Sequence, residues 1–266
     1  MPYVEAGGIR LYYEERGEGP ALLMIMGLSA NLDWWDPGML GRLAERLHVV
    51  TFDNRGAGRS DKPAGEYSIA GMAADAAGLL RRLGMEKAHV LGVSMGGMIA
   101  QQLALDHPGL VDRLVLCCTN CGGGEQVLAT PEVYAVLGAP REGVSVEDVA
   151  RASLPLLFPR EFMGRNPRLM DDFVARYLRH PMPAHCFFAQ LGAVARWGSY
   201  GRLPEIKAPT LVLTGDADIL IPPENSSILA QRIPGARLAV YPGGGHGFFA
   251  QFPERVAEDI LAFLAA

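Results

Sequence analysis

Ala88-His89-Val90-Leu91-Gly92-Val93-Ser94-Met95-Gly96-Gly97-Met98 joins a short apolar run to a helix-forming one through a serine with glycine at both second neighbours. The first half reads as a buried strand, and Met98 to Leu105 supports a helix that ends near His107-Pro108-Gly109. A chain that turns from strand to helix at a serine holds the hydroxyl clear of the backbone, and larger side chains at the flanks would crowd the turn. Glycine makes up 32 of the 266 residues, so the spacing alone also arises by chance. The strand before it and the helix after it make Ser94 a candidate nucleophile.

A serine hydroxyl attacks poorly until a base removes its proton, so the elbow predicts a histidine and an acid elsewhere. His246 stands apart from the other five histidines because Gly243-Gly244-Gly245 and Gly247 enclose it in a tight loop after the strand-like Arg237-Tyr241. His48 and His89 flank apolar strand runs and read as packed or edge residues, His107 sits at a helix end, and His180 and His185 lie in a proline-rich region. The acid is expected after a strand between serine and histidine. Pro209 to Thr214 supplies that strand, and Gly215-Asp216-Ala217-Asp218 follows it. Asp216, close to the strand end, reads as a brace for the turn, and Asp218, farther out, as the acid. The strand-like Arg113 to Asn120 ends without a carboxylate.

Outward from these sites, strand runs alternate with helical ones. Ile9-Glu15 after Gly7-Gly8 suggests a hairpin, and Ala21-Met26, Val49-Phe52, Ala88-Val93, Leu114-Cys118, Thr210-Thr214 and Leu238-Tyr241 suggest further strands. Met72-Leu83, Met98-Leu105 and Glu254-Leu264 read as helices between or after them. That alternation predicts an α/β architecture with a largely parallel sheet covered on both faces. The interval from about Gly122 to Leu203 is too long for a structureless connection and is expected to be helical. A hydrophobic content of 49% is enough for such a sheet, and a net charge of −5 without a basic tract argues against nucleic acid or an anionic membrane as partner. No run reaches membrane-spanning length, and Met1 to Ala6 lacks the pattern of a signal peptide, so a cytoplasmic location is expected. Of the four cysteines, Cys117, Cys118 and Cys121 cluster, yet Cys186 is too remote to complete a metal set. One of Cys117 and Cys118 is expected in the core and the other toward a pocket.

The order Ser94, Asp218, His246 resembles the α/β-hydrolase family over nearly the whole chain. Phe52-Asp53-Asn54-Arg55-Gly56-Ala57-Gly58-Arg59-Ser60 is similar to a loop common after the fourth strand of these enzymes, and we read it as a structural turn in which Arg55 braces carbonyls or Asp53. The resemblance implies a hydrolase core over residues 1–121 and 204–266, with 122–203 inserted as a helical cap. It implies an oxyanion hole from the backbone N–H groups of Met95 and Leu28, although Met26-Gly27-Leu28 replaces the family's frequent His-Gly-x. Trp34, Trp35, Trp197 and Phe248 are pocket candidates, with further aromatics in the cap. Ser94-Met95-Gly96-Gly97 with Met98 is similar to bacterial enol-lactonase and esterase-like members. The implied activity is cleavage of a small apolar or moderately polar ester or lactone through an acyl-enzyme, with no cofactor or metal. Alternatives within the family are a meta-cleavage carbon–carbon hydrolase and a small-molecule receptor. The missing His-Gly-x, and the lack of tryptophan directly after His246, count against the first.

Overall fold

The computed structural model describes residues 2–141 and 143–266; Met1 and Glu142, at the N-terminus and in the long insertion, lie outside the described residues. Tyr3–Ala6 (β1) and Ile9–Arg16 (β2) form the expected hairpin. There follow Ala21–Ile25 (β3), Pro37–Ala44 (α1), His48–Phe52 (β4), Ile69–Arg82 (α2), Ala88–Val93 (β5), Met95–Asp106 (α3) and Val111–Cys117 (β6). Five helices come next, Pro131–Leu137 (α4), Val146–Leu157 (α5), Arg160–Arg165 (α6), Pro167–Arg179 (α7) and Ala184–Ala195 (α8). Thr210–Gly215 (β7), Glu224–Arg232 (α9), Arg237–Tyr241 (β8), Phe248–Gln251 (α10) and Pro253–Leu264 (α11) complete the chain. None of the helices described is long and apolar enough to cross a membrane.

The strands form one sheet in the order β1-β2-β4-β3-β5-β6-β7-β8. Pairing is antiparallel from β1 through β2 to β4 and parallel from there on. Strand periodicity explains why both faces are covered. Along β3, Leu23 and Ile25 join one core with Val90, Leu114 and Leu116, against α2 and α3. Leu22 and Met24 join the opposite core with Leu91, Val93 and Val115, against α1 and α11. Successive side chains point to opposite faces, so continuous apolar runs are what a doubly covered sheet requires. α1 and α2 begin at side-chain caps: Asp36 accepts the Met39 N–H ahead of Pro37, and Ser68 accepts the Gly71 N–H.

The insertion leaves and rejoins the sheet through a bridge between Gly122 and Gly198, reinforced by the Ser199 N–H on the Cys121 carbonyl at 2.7 Å. Its helices divide between two cores. Ala150, Leu154, Met170, Phe173 and Val174 of α5 and α7 form a cluster of their own. Cys186, Phe187 and Ala193 of α8 instead join the core beneath α2 and α3.

One expectation for the loop after β4 is overturned. Arg55 pairs with the buried Asp75 of α2 through two hydrogen bonds of 2.6 and 2.7 Å, rather than with Asp53. Asp53, itself fully buried, accepts the N–H groups of Leu32 and Arg59 at 2.8 and 2.7 Å. The two side chains diverge: Arg55 reaches to α2, while the Asp53 carboxylate turns to the loop after β3. Removing one partner of a buried ion pair leaves an uncompensated charge, whereas replacing both with apolar groups is often neutral. Asp75→Ala is therefore expected to lower the urea-unfolding free energy by about 3–5 kcal/mol, and Asp75→Ala combined with Arg55→Met to recover most of that loss.

Candidate functional site

Ser94 sits at the carboxyl end of β5 with φ 57° and ψ −122°, a backbone state that costs a non-glycine residue about 1–3 kcal/mol. Its neighbours hold it there. The Ser94 N–H donates to the Cys117 carbonyl at 2.9 Å, and the Thr119 hydroxyl donates to the Ser94 carbonyl at 2.7 Å. The flanking glycines have a steric reason: a Cβ on Gly92 would run into the Gly96 carbonyl, and one on Gly96 into the carbonyl of Ile25 in β3. Gly27 passes directly over the serine, where a Cβ would lie 3.0 Å from Ser94 Cβ and 3.1 Å from the Val93 carbonyl.

Two further strand ends bring the remaining groups to the same edge. Gly215 of β7 is paired with Tyr241 of β8, so the loops that follow them lie side by side. The Ala217 N–H donates to the Gly244 carbonyl at 2.8 Å and clasps the two loops together. His246 Nδ1 lies 2.8 Å from Asp218 Oδ2, and both side chains are at least 95% buried. The other Asp218 oxygen accepts the N–H groups of Leu220 and Ile221, each at 2.9 Å, which fixes the carboxylate plane. Asp216 does something different: its carboxylate accepts the Gly243 N–H at 2.6 Å and braces the turn before the histidine. Among the described residues no hydrogen bond joins Ser94 Oγ to His246, and both line one cavity.

Behind the pair lies Cys118, whose sulfur is within 4.8 Å of the ligand atoms of Asp218 and His246. Both Asp218 oxygens are already engaged, and burial together with the Asp218 charge pushes the Cys118 thiol pKa well up, so it stays protonated. Asp218 and His246 are thus paired with each other, an acid–imidazole arrangement, and Cys118 stands behind it. Cys117 and Cys118 are both fully buried beneath the sheet and neither lines the cavity, contrary to the expectation for one of them. The local cause is that Cys118 leaves β6 with φ 39°, which turns it away from strand alternation.

The cavity measures about 190 Å³ and opens between the sheet edge and the insertion. Leu28 and Met95 line it beside Ser94, and Met95 is the first residue of α3, where an N–H has no intrahelical acceptor. Its walls are mainly apolar, with Trp34, Tyr134, Phe158, Phe173 and Phe249 among them. Trp34 stands edge-on to Phe173 at 4.7 Å and seals the insertion against the core. The other three aromatic pocket candidates are elsewhere. Trp35 is buried beneath the sheet against Phe249, Trp197 donates its indole N–H to Gln102 at 2.8 Å, and Phe248 stacks on Tyr241 at 4.7 Å. Trp34 ends a short helical turn and Trp35 follows in extended backbone, whereas Phe248 and Phe249 are adjacent in α10 and point about 100° apart; Trp34 and Phe249 face the cavity while their neighbours fill the core.

Sequence reasoning missed Arg141, the single formally charged side chain among the described lining residues. Its guanidinium lies 3.4 Å from the Phe187 ring centroid, and burial lowers its pKa. It sits in a short loop between α4 and α5, where no pattern distinguishes it from solvated arginines.

A sequence profile described as the alpha/beta hydrolase fold matches residues 20–253. The "Poly(3-hydroxyalkanoate) depolymerase" of Ectopseudomonas oleovorans is 36% identical over 243 residues, covering 91% of this chain and 83% of that protein. The "Putative carbamate hydrolase RutD" of Azorhizobium caulinodans is 30% identical over 275 residues, covering 99% of this chain and 98% of that protein. Among solved structures, the enol-lactonase from Burkholderia xenovorans LB400 superposes with a TM-score of 0.90 at 26% identity, covering all of both chains.

The contact of Gly27 with Ser94 yields a direct test. Gly27→Ala is expected to slow labelling of Ser94 by a fluorophosphonate at least about tenfold, because a misplacement well under 1 Å at a reacting group is costly. Mass spectrometry of the labelled peptide and a thermal melt together check that the loss is local.

Proposed function

Since the chain belongs to the alpha/beta hydrolase fold family and is a hydrolase of that fold, we propose that it cleaves a carboxylic ester or lactone through an acyl-enzyme formed on Ser94. The observation that carries this reading is the shared cavity of Ser94 and His246, with the imidazole held from behind by Asp218. An ionised Asp218 accepts a proton-bearing Nδ1, which leaves the lone pair of Nε2 free to serve as base. In the first step Nε2 takes the Ser94 proton as Oγ bonds to the acyl carbon. The resulting oxyanion is met by the backbone N–H groups of Leu28 and Met95, which need no side-chain chemistry from Met26. His246 returns the proton to the leaving alkoxide, and water repeats the sequence on the acyl-enzyme.

The apolar walls suit an acyl or alcohol portion of low polarity. The similarity to a poly(3-hydroxyalkanoate) depolymerase, a putative carbamate hydrolase and an enol-lactonase supports a bond to an acyl carbon as the one cleaved. Activated esters, lactones and carbamates therefore belong on one assay panel, with a vinylogous diketone as the control for carbon–carbon cleavage. Turnover of the diketone above that of every ester would overturn the ester reading.

Ser94→Ala and His246→Ala are each expected to lower kcat/KM on the best panel ester by roughly three or more orders of magnitude with the fold retained. Fluorophosphonate labelling is expected to vanish in Ser94→Ala. Asp218→Asn is expected to lower kcat by at least about a hundredfold, and Asp216→Asn by no more than a few-fold. The reverse ranking would reassign the acid.

A further inference from the structure

Gln190, on α8 of the insertion, is fully buried, and both ends of its amide bind backbone of other elements. Its Oε1 accepts the N–H of Ser29 at 3.0 Å, and its Nε2 donates to the carbonyl of Arg55 at 2.9 Å. The orientation of the amide follows from chemistry, since a backbone N–H only donates and a carbonyl only accepts. The Arg55 end is a firm anchor because the side chain of that residue is locked to Asp75.

The Ser29 end is the one that needs holding. Ser29 adopts φ 67°, in the left-handed region, and its hydroxyl is buried without a partner, so its own side chain does nothing to secure the turn. The bond that closes the turn, from the Ala30 N–H to the Gly27 carbonyl, is long at 3.3 Å. Leu28 lies inside that turn. Its N–H belongs to one peptide plane and the Ser29 N–H to the next, and the two planes are linked through the Leu28 dihedrals alone.

We infer that Gln190 is a positioning residue, which from the insertion fixes the Ser29 peptide and thereby aims the Leu28 N–H at the oxygen that becomes negative during attack by Ser94. The inference rests on the reading of Leu28 as an oxyanion donor. It makes the competence of that donor depend on the seating of α8, although α8 contributes no group that meets the reacting carbonyl. A donor aimed at developing charge acts on the transition state more than on bound substrate, so its misalignment lowers kcat and leaves KM little changed.

The test uses p-nitrophenyl acetate, with active sites counted by fluorophosphonate titration so that kcat is obtained per competent site. Gln190→Met, which keeps the volume and loses both hydrogen bonds, is expected to lower kcat per site about 10- to 100-fold with KM within about threefold of wild type. Should Gln190→Met fail to fold, Gln190→Asn supplies the same comparison, because its amide is one methylene too short to span both partners.

A kcat per site within twofold of wild type in the folded Met or Asn variant would overturn the inference. So would a fall in titratable sites that accounts for all the lost rate, which is the mark of a structural role alone. Wild-type protein that neither labels nor turns over any panel substrate would instead overturn the serine mechanism on which the inference stands.

Discussion

The reversed backbone at Ser94 is the constraint from which the rest of the site follows. Holding φ at 57° requires the first turn of α3 to press against both β5 and β3, which only glycine at positions 92 and 96 permits. That approach brings Gly27 over the serine and sets the loop after β3 within reach of any group bound there. The local cost of about 1–3 kcal/mol is offset by the Cys117 and Thr119 hydrogen bonds and by burial of α3 between sheet and neighbouring helices. The strained residue and the apolar packing around it are thus one structure.

Parallel strands place the candidate site at one edge. β3, β5, β6, β7 and β8 run the same way, so the loops carrying Leu28, Ser94, Cys118, Asp218 and His246 emerge together at their carboxyl ends. This is the general location of ligand sites in open α/β sheets. The insertion then completes the site. The Gly247 N–H beside His246 donates to the Leu157 carbonyl of α5 at 2.8 Å, and Phe158 packs so closely that Gly247 has no room for a Cβ. With Gln190 binding the Ser29 turn, the insertion touches both the histidine loop and the loop after β3. It forms walls and also supports, which explains why its last helix shares a core with the sheet.

The strand–elbow–helix order, the hairpin, the alternating sheet and the helical stretch between β6 and β7 are legible in the sequence. Each leaves a local trace: apolar periodicity, glycine where backbones touch, and proline or serine at helix starts. The pairing of Arg55 was not legible, because Asp75 is twenty residues away on a helix whose rotation about its axis is set by packing. The aromatic candidates divided for a similar reason. Trp34 and Trp35 have the same composition and neighbourhood in the chain, and the turn geometry at Leu32–Trp34 decides that only one meets the cavity.

By itself, then, the sequence determined the α/β class, the position of the elbow and which two loops could bring a histidine and an acid to it. These depend on backbone sterics and on periodicities that act over a few residues. Only the tertiary structure decided that Asp218 and not Asp216 meets His246, that Cys118 lies behind the pair, and that an amide on α8 reaches the turn after β3. Those outcomes depend on side-chain directions within a few ångströms between segments up to 161 residues apart in the chain. Close packing fixes such directions, and no local pattern records them.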